Sequence, residues 1–127
     1  MMKDDDQSNV NQPIFDYEDF LERIDGDTVL LKEVLEIFLE DTPGLLADLD
    51  AGIKSKNMDA VERATHTLKG AAANISAKRL QALTHQLLLL SRKGELGDAE
   101  GVYDNIIKNY NTLEQVLLSH LTQAREV

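Results

Sequence analysis

At 127 residues the chain has the size of a single domain, and its 43% apolar residues are enough for one hydrophobic core. A formal net charge of −10 argues against a nucleic-acid partner, whose phosphates select clustered Lys and Arg, and against an anionic membrane surface. There is no cysteine, hence neither a disulfide framework nor a thiolate metal site.

The first twelve residues carry Asp4, Asp5 and Asp6 and almost nothing apolar before Val10, so residues 1–12 are expected to form a mobile acidic tail and residues 13–127 the domain. That start is acidic where a signal peptide is basic and then apolar, and no apolar run approaches the roughly 18 residues of a membrane span, so the expected location is the cytoplasm. The initiating methionines favour a stand-alone protein over a piece of a larger one.

From Ile14 to Ile24 apolar residues recur at helical spacing until Gly26, which predicts a short first helix. Asp27 is a plausible N-cap for a second, with Leu30, Leu31, Val34, Leu35, Ile37 and Phe38 apolar and the periodicity continuing through Leu45, Leu46, Leu49 and Ile53. Thr42-Pro43-Gly44 is expected to kink or split it, because Pro lacks a donor and disfavours α geometry before it. Asn57 can cap a third helix from Met58 to about Ile75, and Ser76 a fourth carrying Leu80, Leu83, Leu87 and Leu90. A fifth, from about Asp98 to Gln123, repeats Val102, Ile106, Tyr110, Leu113, Leu117 and Leu121. No segment alternates with period two. The expected fold is all-α, an antiparallel four-helix bundle with a short additional N-terminal helix covering one end.

On a helical projection of the third helix, Val61, Ala64, Leu68, Ala71, Ala72 and Ile75 form the buried stripe and His66 lies opposite. Around His66 on the exposed face stand Glu62 and Arg63, then Lys69 and Gly70, then Ala73 and Ala77. A mid-helix glycine on a surface costs about 1 kcal/mol relative to Ala, and folding alone gives no reason for it. A docking surface does, because Gly70 and Ala73 leave the ground beside the imidazole bare for another protein. A neutral imidazole has a free ring nitrogen able to attack phosphorus, and Lys69 can set a cation beside the transferring oxygens.

The string HTLKGAAANISA, residues 66–77, resembles the phosphorylation motif of the histidine-containing phosphotransfer (HPt) family, His-x-Leu/Ile-Lys-Gly followed by small residues. The likeness extends over about residues 17–121 and includes the FLEDTPGLLADL segment and the LQALTHQLL helix. It implies that His66 is phosphorylated, that Lys69 stabilises the phosphoryl charge, and that Glu62, Arg63, Gly70, Ala73 and Ala77 meet the partner. The implied partners are response-regulator receiver domains and a hybrid histidine kinase. The chain itself is implied to be a monomer, neither an enzyme nor a cofactor protein, with Mg²⁺ on the receiver.

Two positions depart from the family pattern. Ser76 stands where the family has Gly, and Leu88 where it places a Glu or Gln that hydrogen-bonds the imidazole, leaving His85 and Gln86 as candidate orienters of His66. His120 reads as structural, and Leu89 as a helix contact or part of a docking patch. Three histidines without ligand spacing make no metal site, and the Asp-Gly-Asp around Gly26 lacks the other positions of a calcium loop. The alternatives to a receiver-to-receiver phosphocarrier are a kinase-fed phosphorylation domain, as in chemotaxis-type kinases, which share a histidine at the place of His85, a degenerate receiver-binding bundle that carries no phosphate, and a structural bundle with an incidental His.

Overall fold

The computed structural model describes residues 11–126, with side chains through residue 123, and the tail expected over residues 1–12 lies almost wholly outside them. The helices are α1 (Tyr17–Arg23), α2 (Thr28–Lys54), α3 (Met58–Asn74), α4 (Lys78–Arg92) and α5 (Ala99–Glu126), with one 3-10 turn at Leu96–Asp98. There is no strand among the described residues. Helices α2 to α5 run up and down in an antiparallel bundle, and α1 closes the end where α3 turns into α4.

The periodic positions carry the core. In α5, Val102, Ile106, Tyr110, Leu113, Leu117 and Leu121 are all buried, as are Leu80, Leu83 and Leu87 of α4 and Val61, Ala64, Leu68 and Ala72 of α3. The threonines inside this core satisfy themselves locally: the hydroxyls of Thr65 and Thr84 donate to the carbonyls of Val61 and Leu80 one turn back. Gly52 lets α2 and α3 approach, since a Cβ there would stand 3.0 Å from Val61 Cγ2.

Three interhelical turns share one design. Each helix ends on a residue in the left-handed region, Lys56 (φ 56°), Ser76 (φ 61°) or Gly94 (φ 72°). In the α3–α4 turn the Ser76 amide donates to the Ala73 carbonyl (3.1 Å) and the Ala77 amide to the Ala72 carbonyl (2.9 Å), the paired bonds that close a helix C-terminus. Ser76 is therefore not the N-cap of α4. The cap position falls to Ala77, without a side-chain bond, and the Ser76 hydroxyl instead donates to Asp19 Oδ2 at 2.6 Å. The family preference for Gly at this position has its reason in that φ.

Two other expectations change. Of the two outcomes expected at Pro43, a kink or a split, the split is excluded: α2 is one helix from Thr28 to Lys54, with Phe38 and Leu46 buried on either side and Pro43 on the solvent face. The buried Thr42 hydroxyl donates to the Phe38 carbonyl at 2.6 Å, tying the turn that Pro43 weakens. α1 begins at Tyr17, not Ile14, because Asp16 caps it by accepting from the Asp19 amide and donates its own amide to the Ser76 carbonyl. Ile14 and Phe15 pack against the core from the segment before the helix.

α1 is thus held to the α3–α4 turn by polar groups: Asp19 to Ser76, and Asp16 to Lys78 at 2.8 Å. His120 of α5 stacks on Tyr17 at 4.2 Å and meets the edge of Phe15 at 5.2 Å, a structural place as expected. Lys78 holds the Asp16 carboxyl below its ordinary pKa, and the Ser76 hydroxyl does the same for Asp19. A depressed folded-state pKa stabilises fully above the unfolded value and is lost as pH falls through the folded one. On acidification below about pH 4 the α1 clasp should therefore loosen first. Amide exchange at α1 as a function of pH checks this: Asp16→Asn together with Asp19→Asn should weaken protection at neutral pH and flatten its acid dependence, with α5 unaffected.

Candidate functional site: an exposed histidine on the α3–α4 seam

His66 sits in the middle of the 17-residue α3, held in place by Leu68 and Ala72, which are fully buried on the opposite side. Its imidazole is exposed and makes no hydrogen bond among the described residues.

Two cross-helix contacts flank it. One turn before, Arg92 Nε donates to Glu62 Oε2 at 3.1 Å, and one turn after, Lys69 Nζ lies 3.0 Å from His85 Nδ1. These pairs mark the antiparallel register of α3 on α4, and in that register Leu88 lies opposite His66. Leu88 is 2% exposed. The structure thus puts an apolar, buried side chain where a hydrogen-bonding partner of the imidazole could stand. Of the two candidate orienters, His85 has its Nδ1 engaged with Lys69.

Asp59, Glu62, Arg63, His66 and Arg92 line a shallow groove of about 360 Å³. Arg92 is the residue that sequence reasoning missed. The signal was present: the positions equidistant from the α3–α4 turn face one another, and the count that finds Leu88 opposite His66 also finds Arg92 opposite Glu62. In a chain of net charge −10, Arg63, Lys69 and Arg92 gather three cations around one histidine.

Beyond Lys69 the surface is bare. Gly70 is exposed and a Cβ built on it meets nothing within 4 Å, so no packing contact requires glycine there. Ala73 is half-buried, but Ala77 is 0% exposed, a correction to its expected place on the partner face. It lies beyond the end of α3, and the turn through Ser76 swings it inward, so helical projection from His66 no longer applies to it. Next to this strip, Ile37 of α2 is 57% exposed and lines a hollow with Val34, Asp41, Ala71 and Asn74. Leu89 is 41% exposed on α4.

Among the described residues there is no group of three metal-ligating side chains, and no helix is long and apolar enough to cross a membrane. The groove is open to solvent and contains no second nucleophile or general base hydrogen-bonded to His66. What the arrangement can do is present one imidazole, with cations beside it, to a group carried on something else.

The comparisons with known proteins agree with this geometry. No curated protein matches the chain. Among solved structures, histidine-containing phosphotransfer protein B (HptB) from Pseudomonas aeruginosa PAO1 superposes with a TM-score of 0.82 at 19% sequence identity, over 87% of this chain and 96% of that one, which is a likeness of fold. The family model described as the Hpt domain matches residues 33–126, three quarters of the chain and all of α3 and α4 with the His66 motif. The chain belongs to the Hpt family, the histidine phosphotransfer domains of two-component phosphorelays.

Proposed function

We propose that His66 accepts a phosphoryl group from the phospho-aspartate of one response-regulator receiver domain and passes it to the aspartate of another. A lone-pair nitrogen of the neutral imidazole attacks phosphorus, the bond to the aspartyl oxygen breaks, and the carboxylate leaves. The proton on the other ring nitrogen stays where it is. In the return direction the same bonds form and break in reverse.

The observation that carries this reading is an exposed His66, without a hydrogen bond among the described residues, that has Arg63 and Arg92 one turn before it and Lys69 one turn after, beside the bare Gly70. Lys69 and Arg92 act on the oxygens that gain charge as the phosphoryl group moves, and fixed positive charge there lowers the barrier. Gly70, Ala73 and the exposed Ile37 receive the partner. The Mg²⁺ and the remaining catalytic groups belong to the receiver, so the chain is a carrier. The kinase-fed alternative has less support, because its glutamate opposite the histidine is replaced by the buried Leu88.

Incubation with a receiver domain charged from radiolabelled acetyl phosphate tests the reading: acid-labile, alkali-stable label should appear on the parent and be absent from His66→Gln. Gly70 separates docking from chemistry. Gly70→Ala should raise stability by up to about 1 kcal/mol, since the site is open and Ala favours the helix. Gly70→Gln should melt at or above the parent temperature yet lose transfer from the receiver, while still accepting phosphate from phosphoramidate, a donor too small to be blocked. Normal transfer by Gly70→Gln would mean that the partner approaches from another side.

Lys69→Ala should slow transfer at least tenfold with an unchanged melting temperature, because a surface Lys adds little stability but a positioned cation acts on developing charge. Rates for parent and variant in single-turnover mixing with the charged receiver check this. Equal rates would show that the receiver supplies all the positive charge.

A further inference from the structure

Lys69 lies among 23 acidic residues in the chain, yet its one hydrogen-bond partner among the described residues is a histidine. An ammonium has donors only, so His85 Nδ1 must accept, with the ring neutral and its proton on Nε2. A carboxylate in that place would hold the ammonium more tightly and would also cancel its charge. A neutral imidazole orients the ammonium and leaves the charge uncompensated. The register makes this placement specific: His85 stands opposite Lys69 one turn from Leu88, so the α4 side of the site offers a leucine to His66 and an acceptor to Lys69.

We propose that His85 is the positioning residue of the transfer site, a neutral acceptor that holds the Lys69 ammonium on the α3–α4 seam beside His66 and gives it up to the phosphoryl oxygens. This rests on the phosphocarrier reading of His66. Four rotatable bonds let a free lysine sweep the surface, and the bond to His85 narrows that range to the side of the helix where the phosphoryl group arrives.

The groups acting on His85 favour its neutral form. Burial lowers its pKa, and so do the charges of Lys69 from α3 and Arg92 from α4; no group of α5, the other helix packed on α4, is among them. Protonation removes the acceptor and turns the contact into a repulsion between two cations. Transfer should therefore lose the His85 contribution as pH falls through that lowered pKa, and keep it above.

The experiment compares single-turnover transfer from the charged receiver for the parent, His85→Ala, His85→Gln and His85→Glu across pH 5 to 8, with melting temperature measured for each. His85→Ala is expected to be about three- to tenfold slower at neutral pH with unchanged melting. His85→Gln, whose amide oxygen accepts at every pH, is expected to restore the rate, and the parent-to-Gln rate ratio should fall on acidification. His85→Glu is expected to melt at or above the parent temperature, through a Lys69–Glu ion pair, and to transfer more slowly. A His85→Ala rate equal to the parent, a pH-independent parent-to-Gln ratio, or a His85→Glu variant faster than the parent each overturns the proposal while leaving the role of His66 intact. A parent that takes no label overturns the phosphocarrier reading itself, and this one with it.

Discussion

The register of α3 against α4 is the constraint on which the site depends. It is set at the turn, where Ser76 adopts φ 61° and the amides of Ser76 and Ala77 close on the carbonyls of Ala73 and Ala72. One residue more or fewer in that turn would rotate the facing row of α4 by about 100° relative to α3. Glu62 would then lose Arg92, Lys69 would lose His85, and a different side chain would stand opposite His66. A non-glycine residue in the left-handed region is strained, and Ser76 is kept there by a buried position and a 2.6 Å hydroxyl bond to Asp19 of α1. The small first helix, which lies outside the matched family region, thereby braces the geometry of a site at mid-bundle.

Leu88 shows how packing and chemistry divide the seam. Full burial of a leucine contributes about 1.5–3 kcal/mol, and the seam between α3 and α4 gains it directly beneath His66. The cost is that the α4 residue opposite His66 cannot hydrogen-bond the imidazole or set its tautomer. Polar interactions are displaced one turn in each direction, to Glu62–Arg92 and Lys69–His85. Both are exposed contacts that add little to stability, and their side chains can leave one another when a dianion arrives between them.

Much of the bundle was legible in the sequence because its core obeys a single period. The α5 positions from Val102 to Leu121 are all buried, and Asp27 and Asn57 cap their helices through bonds to Val29, Leu30 and Ala60 amides. His66, Lys69 and Gly70 fall where projection of α3 puts them. Legibility failed where tertiary contacts overrode a local rule. Pro43 disfavours a continuous helix, yet burial of Phe38 and Leu46 on either side holds α2 together. Ser76 has N-cap chemistry, but its hydroxyl is taken by Asp19, fifty-seven residues away in sequence. Ala77 shares the projected face of His66 only if α3 continues, and α3 has already turned. Arg92 belongs to the site, and His85 meets Lys69, through pairing between helices, which periodicity within one helix cannot express.

The openness of the groove has a consequence for how a carrier of this kind can work. Charge stabilisation is strong in a water-excluded pocket and weak on an open surface, where screening leaves little of it. Arg63, Lys69 and Arg92 on their own therefore give His66 only a modest advantage in free solution. They become effective when a partner covers the groove and removes the water, and a partner can do so because Gly70 and Ala73 let it come close. An enclosed pocket would make the same cations strong at all times, but its walls would keep a partner protein from reaching His66. An exposed histidine with weakly held cations keeps the barrier high between partners and lowers it only during contact, which is what passing a labile group from one protein to another requires.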